Sequence, residues 1–284
     1  MGEHLQLSEE QPAPPRQDNE RRPAPDPAPA RGFGADLVMG LRFFSRLPTG
    51  DRPFEKPDLD RIAVALPFVS VIVGFAPALL MMLLCWAGVP SYFAAALGVG
   101  AMIAITGAMT DDALADAADG LAGGATIERR LEIMKDSRHG TYGVAALGLY
   151  LVLRVTAIGA VAAYNPLAAG GIWLAASLIG RSTSLWLSVE LPNAREGGAS
   201  ASVGRVSRQA FFIGAGFGAV IALLLAGPFT SFVALILALV AAGLVAMGWV
   251  WVCRRLIGGQ TGDLIGALGG LVEIAALTML LMFA

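Results

Sequence analysis

Seven apolar stretches, near 62–88, 91–109, 144–163, 165–188, 210–227, 229–252 and 264–283, run along this 284-residue chain. Each has the ~17–25 residues that a helix needs to cross the hydrocarbon layer of a bilayer. In lipid every backbone polar group must be satisfied within the protein, so runs of this kind fold as helices. The expected fold is therefore all-α: a polytopic transmembrane bundle of about seven spans. Composition agrees, because 56% of residues are hydrophobic and only 15% charged, where a soluble domain carries about a quarter charged. Thirty-five glycines suit close helix packing in lipid.

Segment 35–47 is shorter and amphipathic, with Leu37, Leu41, Phe43 and Phe44 among Arg42 and Arg46, and reads as an interfacial helix. Residues 1–34, rich in Pro, Ala and charge, read as a disordered cytoplasmic tail ahead of a single membrane domain over 35–284. A net charge of −2 gives no basic face for nucleic acid. Cys85 and Cys253 lie in or beside apolar runs and read as packing residues.

Charge alternates along the loops. The segment through Arg61, loop 109–143, loop 189–209 and loop 253–263 hold eighteen of the twenty Lys/Arg, while the short connections near 89, 164 and 228 hold none. The positive-inside rule makes the charged side cytoplasmic. Arg154 and Arg181 fall inside spans, where a lipid-facing cation costs at least ~2.5 kcal/mol. Arg154 is thus expected to face the interior or to snorkel, with Glu273 as one candidate structural partner, and Arg181 either to reach the headgroups or to serve the site.

Function concentrates in residues 110–143. Asp112, Asp116 and Asp119 stand at i, i+4 and i+7, one face of a helix that would continue the second span. Like charges so stacked repel, and no Lys or Arg lies between 110 and 128 to relieve them. A divalent ion is the simplest partner; an all-oxygen donor set favours Mg²⁺ over zinc and tolerates Mn²⁺. The glycines from Gly120 to Gly124 would suit an anion cradle or simply a helix end. Arg129, Arg130, Lys135 and Arg138 follow and could neutralise phosphate oxygens. Carboxylates on a metal, with basic residues around them, suit diphosphate chemistry.

These residues resemble a family. DALADAADG and RRLEIMKDSRHGTYG, with FFSRLP at 43–48, LPNAREGG at 191–198 and GGQTGDLIGA at 258–267, are similar in order to the cobalamin synthases, or adenosylcobinamide-GDP ribazoletransferases, over roughly 35–284. The resemblance implies a membrane enzyme that joins adenosylcobinamide-GDP to α-ribazole or its 5′-phosphate, releases GMP and uses Mg²⁺. It carries over Asp112, Asp116, Asp119, Gly120, Glu132, Lys135, Asp136, Ser137, Gly140, Gly143, Arg181, Arg195, Gly262 and Asp263.

On that reading Asp112, Asp116 and Asp119 hold metal and Asp136 is either a further ligand or the base. Lys135 is catalytic, and Arg129, Arg130, Glu132, Ser137, Arg181, Arg195 and Asp263 bind substrate. The implied location is the cell inner membrane, multi-pass and in contact with lipid, with a cytoplasmic site. Two departures stand out: the family commonly has His-Glu-Asp-Gly where this chain has Thr110-Asp111-Asp112-Ala113. A prenyltransferase would carry a second acidic cluster, and a CDP-alcohol phosphatidyltransferase an Asp-Gly-x-x-Ala-Arg run. A secondary transporter would repeat the acidic segment in a second half. None of these patterns occurs in the chain.

Overall fold

The computed structural model describes residues 32–50, 56–136, 138–195 and 204–282, so almost all of the expected N-terminal tail, and Ser137, lie outside the described residues. In chain order the helices are α1 (Phe33–Phe44), α2 (Leu59–Trp86), α3 (Ser91–Thr106), α4 (Met109–Gly123), α5 (Ile127–Ile133), α6 (Thr141–Ala162), α7 (Pro166–Ser184), α8 (Trp186–Glu190), α9 (Arg208–Ala226), α10 (Phe232–Leu256) and α11 (Gly262–Leu281). No strand forms among the described residues beyond one isolated bridge, Asn193 to Gln260. The all-α bundle is as the hydropathy requires.

Among the described residues five helices, α2, α6, α9, α10 and α11, are long and apolar enough to cross a membrane. The two other expected spans differ in instructive ways. Stretch 165–188 becomes α7, which is less apolar than its neighbours because it is the centre of the bundle. It packs against α2, α9, α11 and α6, and every residue from Ile172 to Gly180 is buried. A helix ringed by protein does not need a lipid-compatible surface.

Stretch 91–109 does not run on into the acidic segment as expected. It ends at Thr106, and α4 leaves at 87° to α3. The cause is local: Gly107 (φ 65°) and Ala108 (φ 59°) both adopt the left-handed conformation, which a helix cannot pass through. The Arg46 side chain occupies the space beside Gly107, where a Cβ would come within 3.0 Å of Arg46 Cζ, and the Arg46 amide donates to Ile105 O at 2.7 Å. At 16 residues α3 spans about 24 Å. α3 and α4 are thus a helix pair bent sharply at Gly107 and Ala108.

Small residues set the packing. On α9 the buried stripe is Ala210, Gly214, Gly218, Ala222 and Ala226, and a Cβ on Gly214 would strike the carbonyl of Ala63. On α10 Ala234, Ala238, Ala242 and Ala246 repeat the four-residue spacing. Lipid gives helices no hydrophobic reason to associate, so this backbone-to-backbone approach supplies the dispersion contact instead. The opposite faces present Phe212, Leu224, Leu244, Met247 and Trp251 outward.

The charge-bearing connections converge at one end. Ser207 N–H donates to Asp60 (2.6 Å), Arg208 to Glu190 (3.0 Å), and Arg130 to the carbonyl of Leu256 (2.9 Å). Arg195 donates to the carbonyl of Leu131. The start of α2, the α4–α6 segment, the α8–α9 connection and the end of α10 are thus linked at this end. At the entry to the bundle, α1 is tied to α2 by the pair Asp36–Arg61 at 2.6 Å.

Candidate functional site

α4 supplies the carboxylates. Its Ala-rich sequence favours helix, and Asp111 and Asp112 sit in the first turn, where the helix dipole favours negative charge. The helix packs into α11 through Ala113, which fills the space left by Gly266. Thr110 lies on that same side, its Cγ2 at 3.5 Å from where a Cβ on Gly270 would stand.

The four aspartates then divide. Asp111 turns inward to Arg154 at 3.7 Å and is buried with it. Asp112 is open, its side chain 62% exposed, and Asp116 beside it is 16% exposed. Asp119 is buried and spent on backbone: its two oxygens accept the amides of Gly140 (2.6 Å) and Gly143 (2.8 Å) at the start of α6. That closeness excludes side chains at both glycines, since a Cβ on Gly140 would lie 2.5 Å from Asp119 Oδ1, and one on Gly143 2.9 Å from the carbonyl of Ala115. Three carboxylates share a helical face, as the spacing required, but the structure does not bring all three to one point.

What joins Asp112 and Asp116 is His139. Its Nε2 lies 3.9 Å from Asp112 Oδ1 and its Nδ1 3.7 Å from Asp116 Oδ1. One donor atom from each of the three residues can be chosen so that all lie within 4.8 Å of one another. The sequence reading placed no histidine near these carboxylates, and the structure brings His139 beside them. His139 lies far along the chain from Asp116, and the anchoring of Gly140 by Asp119 is what brings the loop back.

Asp136 is not part of that group. It receives the Arg138 guanidinium at 2.6 Å and the Arg138 backbone amide at 3.1 Å, and these hydrogen bonds, the side-chain one first, hold its carboxyl down at about 2. Arg129, Glu132, Lys135, Asp136 and Arg138 line one open depression, with Arg129 paired to Glu132 at 2.6 Å.

The glycines at the end of α4 serve packing. A Cβ on Gly120 would meet Met134 Cε at 2.7 Å and Arg130 O at 3.0 Å, and one on Gly124 would meet the Arg130 amide nitrogen at 2.7 Å. Of the two readings of this segment, the helix end fits Gly120 and Gly124, where α5 folds back on α4.

Two of the sequence motifs meet. Ala194 N–H donates to Gln260 O (2.9 Å) and Gln260 N–H to Pro192 O (2.8 Å), while the Gln260 amide reaches Asn193 Oδ1. The bridge sets Arg195 against α5 and Asp263 at the head of α11. Asp263 is close enough for its charge to act on Asp112 and Asp116, and Arg195 opposes it. Arg130 and Arg195 each keep a buried Nε without a protein partner among the described residues. Arg181 lies away from the loop arginines, inside the bundle, with Nη2 3.3 Å from Met102 Sδ and Nη1 unpartnered.

Behind α4 lies a buried polar knot. Glu273 accepts from Tyr150 (2.8 Å), Ser177 (2.8 Å), Trp173 (3.3 Å) and Arg154 (3.2 Å). The Arg154–Glu273 partnership expected from the sequence is present. Tyr150, Trp173 and Ser177 are additions that apolar surroundings conceal in a linear reading.

A family model described as cobalamin-5-phosphate synthase matches residues 36–281. An adenosylcobinamide-GDP ribazoletransferase of Azorhizobium caulinodans is 41% identical over 254 residues, covering 88% of this chain and 96% of the relative. Proteins of the same name from Rhizobium meliloti and Sinorhizobium medicae are 39% and 38% identical, covering 88% and 87% of this chain and 97% and 96% of theirs. No solved structure matches.

Proposed function

Because this chain belongs to the cobalamin-5-phosphate synthase family, we propose that Asp112 and Asp116 hold a divalent ion, Mg²⁺ by the chemistry of their oxygens, against the diphosphate of adenosylcobinamide-GDP. The protein is a multi-pass membrane enzyme, an adenosylcobinamide-GDP ribazoletransferase that acts on small-molecule substrates. The observation that carries the metal reading is the juxtaposition of exposed Asp112 and half-buried Asp116, without a Lys or Arg partner among the described residues. Two carboxylates one helical turn apart repel unless a cation lies between them.

Bound there, the ion would neutralise the diphosphate and the departing GMP phosphate. The protein's own part is to bind and orient. Arg129, Lys135 and Arg138 line one open depression, and Arg130 and Arg195, fixed by carbonyls of α10 and α5, have guanidinium capacity left for phosphate oxygens. Asp263, at the α11 N-terminus, is placed to orient the second substrate. A ribose hydroxyl of α-ribazole or its 5′-phosphate forms the new bond to the cobinamide-side phosphorus; the bond from that phosphorus to the bridging oxygen breaks, GMP leaves, and the hydroxyl proton passes to solvent or to a base.

The site faces the cytoplasm in this account and the bundle sits in the cell inner membrane. Support comes from the positive-inside bias and from the mutual bonding of the basic connections at the site end. The test is release of GMP by the purified protein. GMP should appear only when α-ribazole or its phosphate accompanies adenosylcobinamide-GDP, and should stop on chelation. Release that continues after chelation would remove the metal from the account.

A further inference from the structure

We infer that Arg46 is a positioning residue for the reaction: packed into the corner between α3 and α4, it fixes the angle at which α4 leaves α3 and so the place where Asp112 stands. The inference rests on the metal reading above and concerns how that site is held.

The corner is strained. Ala108 (φ 59°) is the one non-glycine residue with positive φ among the described residues, and it directly precedes α4. L side chains avoid this conformation because Cβ crowds the following carbonyl oxygen, and such strain persists only where the surroundings enforce it. One bond carries it to the site: the Ala108 carbonyl accepts the Asp112 amide at 2.8 Å, which opens α4. On the other side the Ala108 amide donates to Ile103 O at 2.8 Å and closes α3.

What enforces the corner comes from another part of the chain. The Arg46 amide donates to Ile105 O at 2.7 Å, and the Arg46 side chain lies against Gly107, where a Cβ would come within 3.0 Å of Cζ and 3.1 Å of Cδ. A cation at the carbonyl end of α3 is also favoured by the helix dipole. Arg46 is held in turn by α1, since the Ser45 hydroxyl donates to Leu41 O (2.7 Å) and accepts the Leu47 amide (3.3 Å). α1 is bound to α2 by Asp36–Arg61 and by an approach so close that a Cβ on Gly40 would lie 2.7 Å from Val69 Cγ2. Contacts thus run without a gap from α2 through α1 and Arg46 to the head of α4.

The lever is short and its other end is fixed. Asp119 pins the far part of α4 to the amides of Gly140 and Gly143. With the corner loosened, α4 pivots about Asp119; Asp112, about 10 Å away along the helix, moves about 2 Å for each 10° of swing. A misplacement of about 1 Å can cost a hundredfold in rate. The Arg46 side chain is itself exposed, so its removal costs the core little.

The experiment reads backbone amide exchange by mass spectrometry on the full chain in detergent, together with steady-state GMP release. In Arg46→Ala the peptide covering Ala108 to Asp112 should exchange about tenfold or more faster, because a local opening exposes those amides, while the peptide covering Gly140 to Gly143 exchanges as in wild type. kcat should fall about tenfold or more with the KM for adenosylcobinamide-GDP within about threefold, since the arginines of α5 and Arg195 are untouched. Arg46→Lys, which keeps the stem and the charge, should lie nearer wild type in both readouts. Gly107→Ala, which expels the Arg46 side chain but leaves it in the chain, should act as Arg46→Ala does. Lost turnover with wild-type exchange at Ala108 to Asp112 would make Arg46 a substrate contact and overturn the positioning role. Faster exchange with wild-type kcat would overturn it too, as would wild-type behaviour in both. Asp112→Asn separates the premise: if that variant turns over with the wild-type Mg²⁺ midpoint, the metal reading fails and this inference with it, whereas its loss beside an unaffected Arg46→Ala leaves the metal reading standing alone.

Discussion

Replacing Asp119 by Asn separates an anchoring role from a metal-binding one. In the structure each Asp119 oxygen accepts one backbone amide, from Gly140 at 2.6 Å and Gly143 at 2.8 Å, in a buried position at the N-terminus of α6. An Asn side chain keeps one acceptor and turns an NH₂ group toward the other amide, so one charge-assisted bond is lost, the second is weakened, and the negative charge leaves the helix terminus. A hydrogen bond to a charged group is worth about 1.5–3 kcal/mol, and the terminal charge about 0.3–1 kcal/mol or somewhat more when partly buried. The expected destabilisation is about 2–4 kcal/mol, a fall in Tm on the order of 5–15 °C. Buried Cys253 gives the assay, because a thiol-reactive fluorophore reports its exposure on heating in detergent. Asp112→Asn and Asp116→Asn should behave in the opposite way: they remove a like-charge repulsion of a few tenths of a kcal/mol, unfold no earlier than wild type, and lose the metal. If Asp119→Asn unfolds with wild type yet loses metal as Asp116→Asn does, Asp119 is a ligand and the anchoring argument is wrong.

Glu273→Leu should destabilise by about 3–5 kcal/mol, because Arg154 is left buried with Asp111 at 3.7 Å as its remaining partner. The double change Arg154→Met with Glu273→Leu should recover much of that in the same thermal assay, and a single variant as stable as wild type would contradict it. Lys135→Ala should raise the KM for adenosylcobinamide-GDP roughly ten- to a hundred-fold, the worth of one charge-assisted bond. It should leave the Mg²⁺ requirement at saturating substrate unchanged, as steady-state titrations would show. In a background lacking Cys85 and Cys253, Tyr164→Cys should react with an impermeant thiol reagent from outside intact cells and Arg255→Cys only after permeabilisation; labelling of both from one side would break the sidedness.

Hydropathy made the bundle legible, because spanning segments must be long, apolar and helical whatever their neighbours. It could not reveal the break between α3 and α4: a glycine inside an apolar run is ordinary in lipid, and it is Arg46, from a distant segment, that occupies the space at Gly107. α7 was expected as one more apolar span, and its lower hydropathy is explained only by its central position among other helices. Within the site, the i, i+4 pairing of Asp112 and Asp116 is local and readable. Asp119 has the same periodicity, but its partners are backbone amides from the start of α6, and local spacing cannot distinguish a carboxylate that faces solvent from one that caps another helix. His139 was missed for the same reason. The partnership of Arg154 with Glu273 could be anticipated, since a buried cation in a span needs an anion and few are available at that depth.

The central claim, a metal-dependent transfer at Asp112 and Asp116, is tested most directly by single-turnover GMP release from adenosylcobinamide-GDP as Mg²⁺ is varied. Wild type is compared with Asp112→Asn and Asp116→Asn after each variant has passed the thermal assay as folded. The account predicts a saturable Mg²⁺ dependence in wild type, and in both variants either no release or a requirement for far more Mg²⁺. Release in folded Asp116→Asn at the wild-type rate and the wild-type Mg²⁺ midpoint would contradict it.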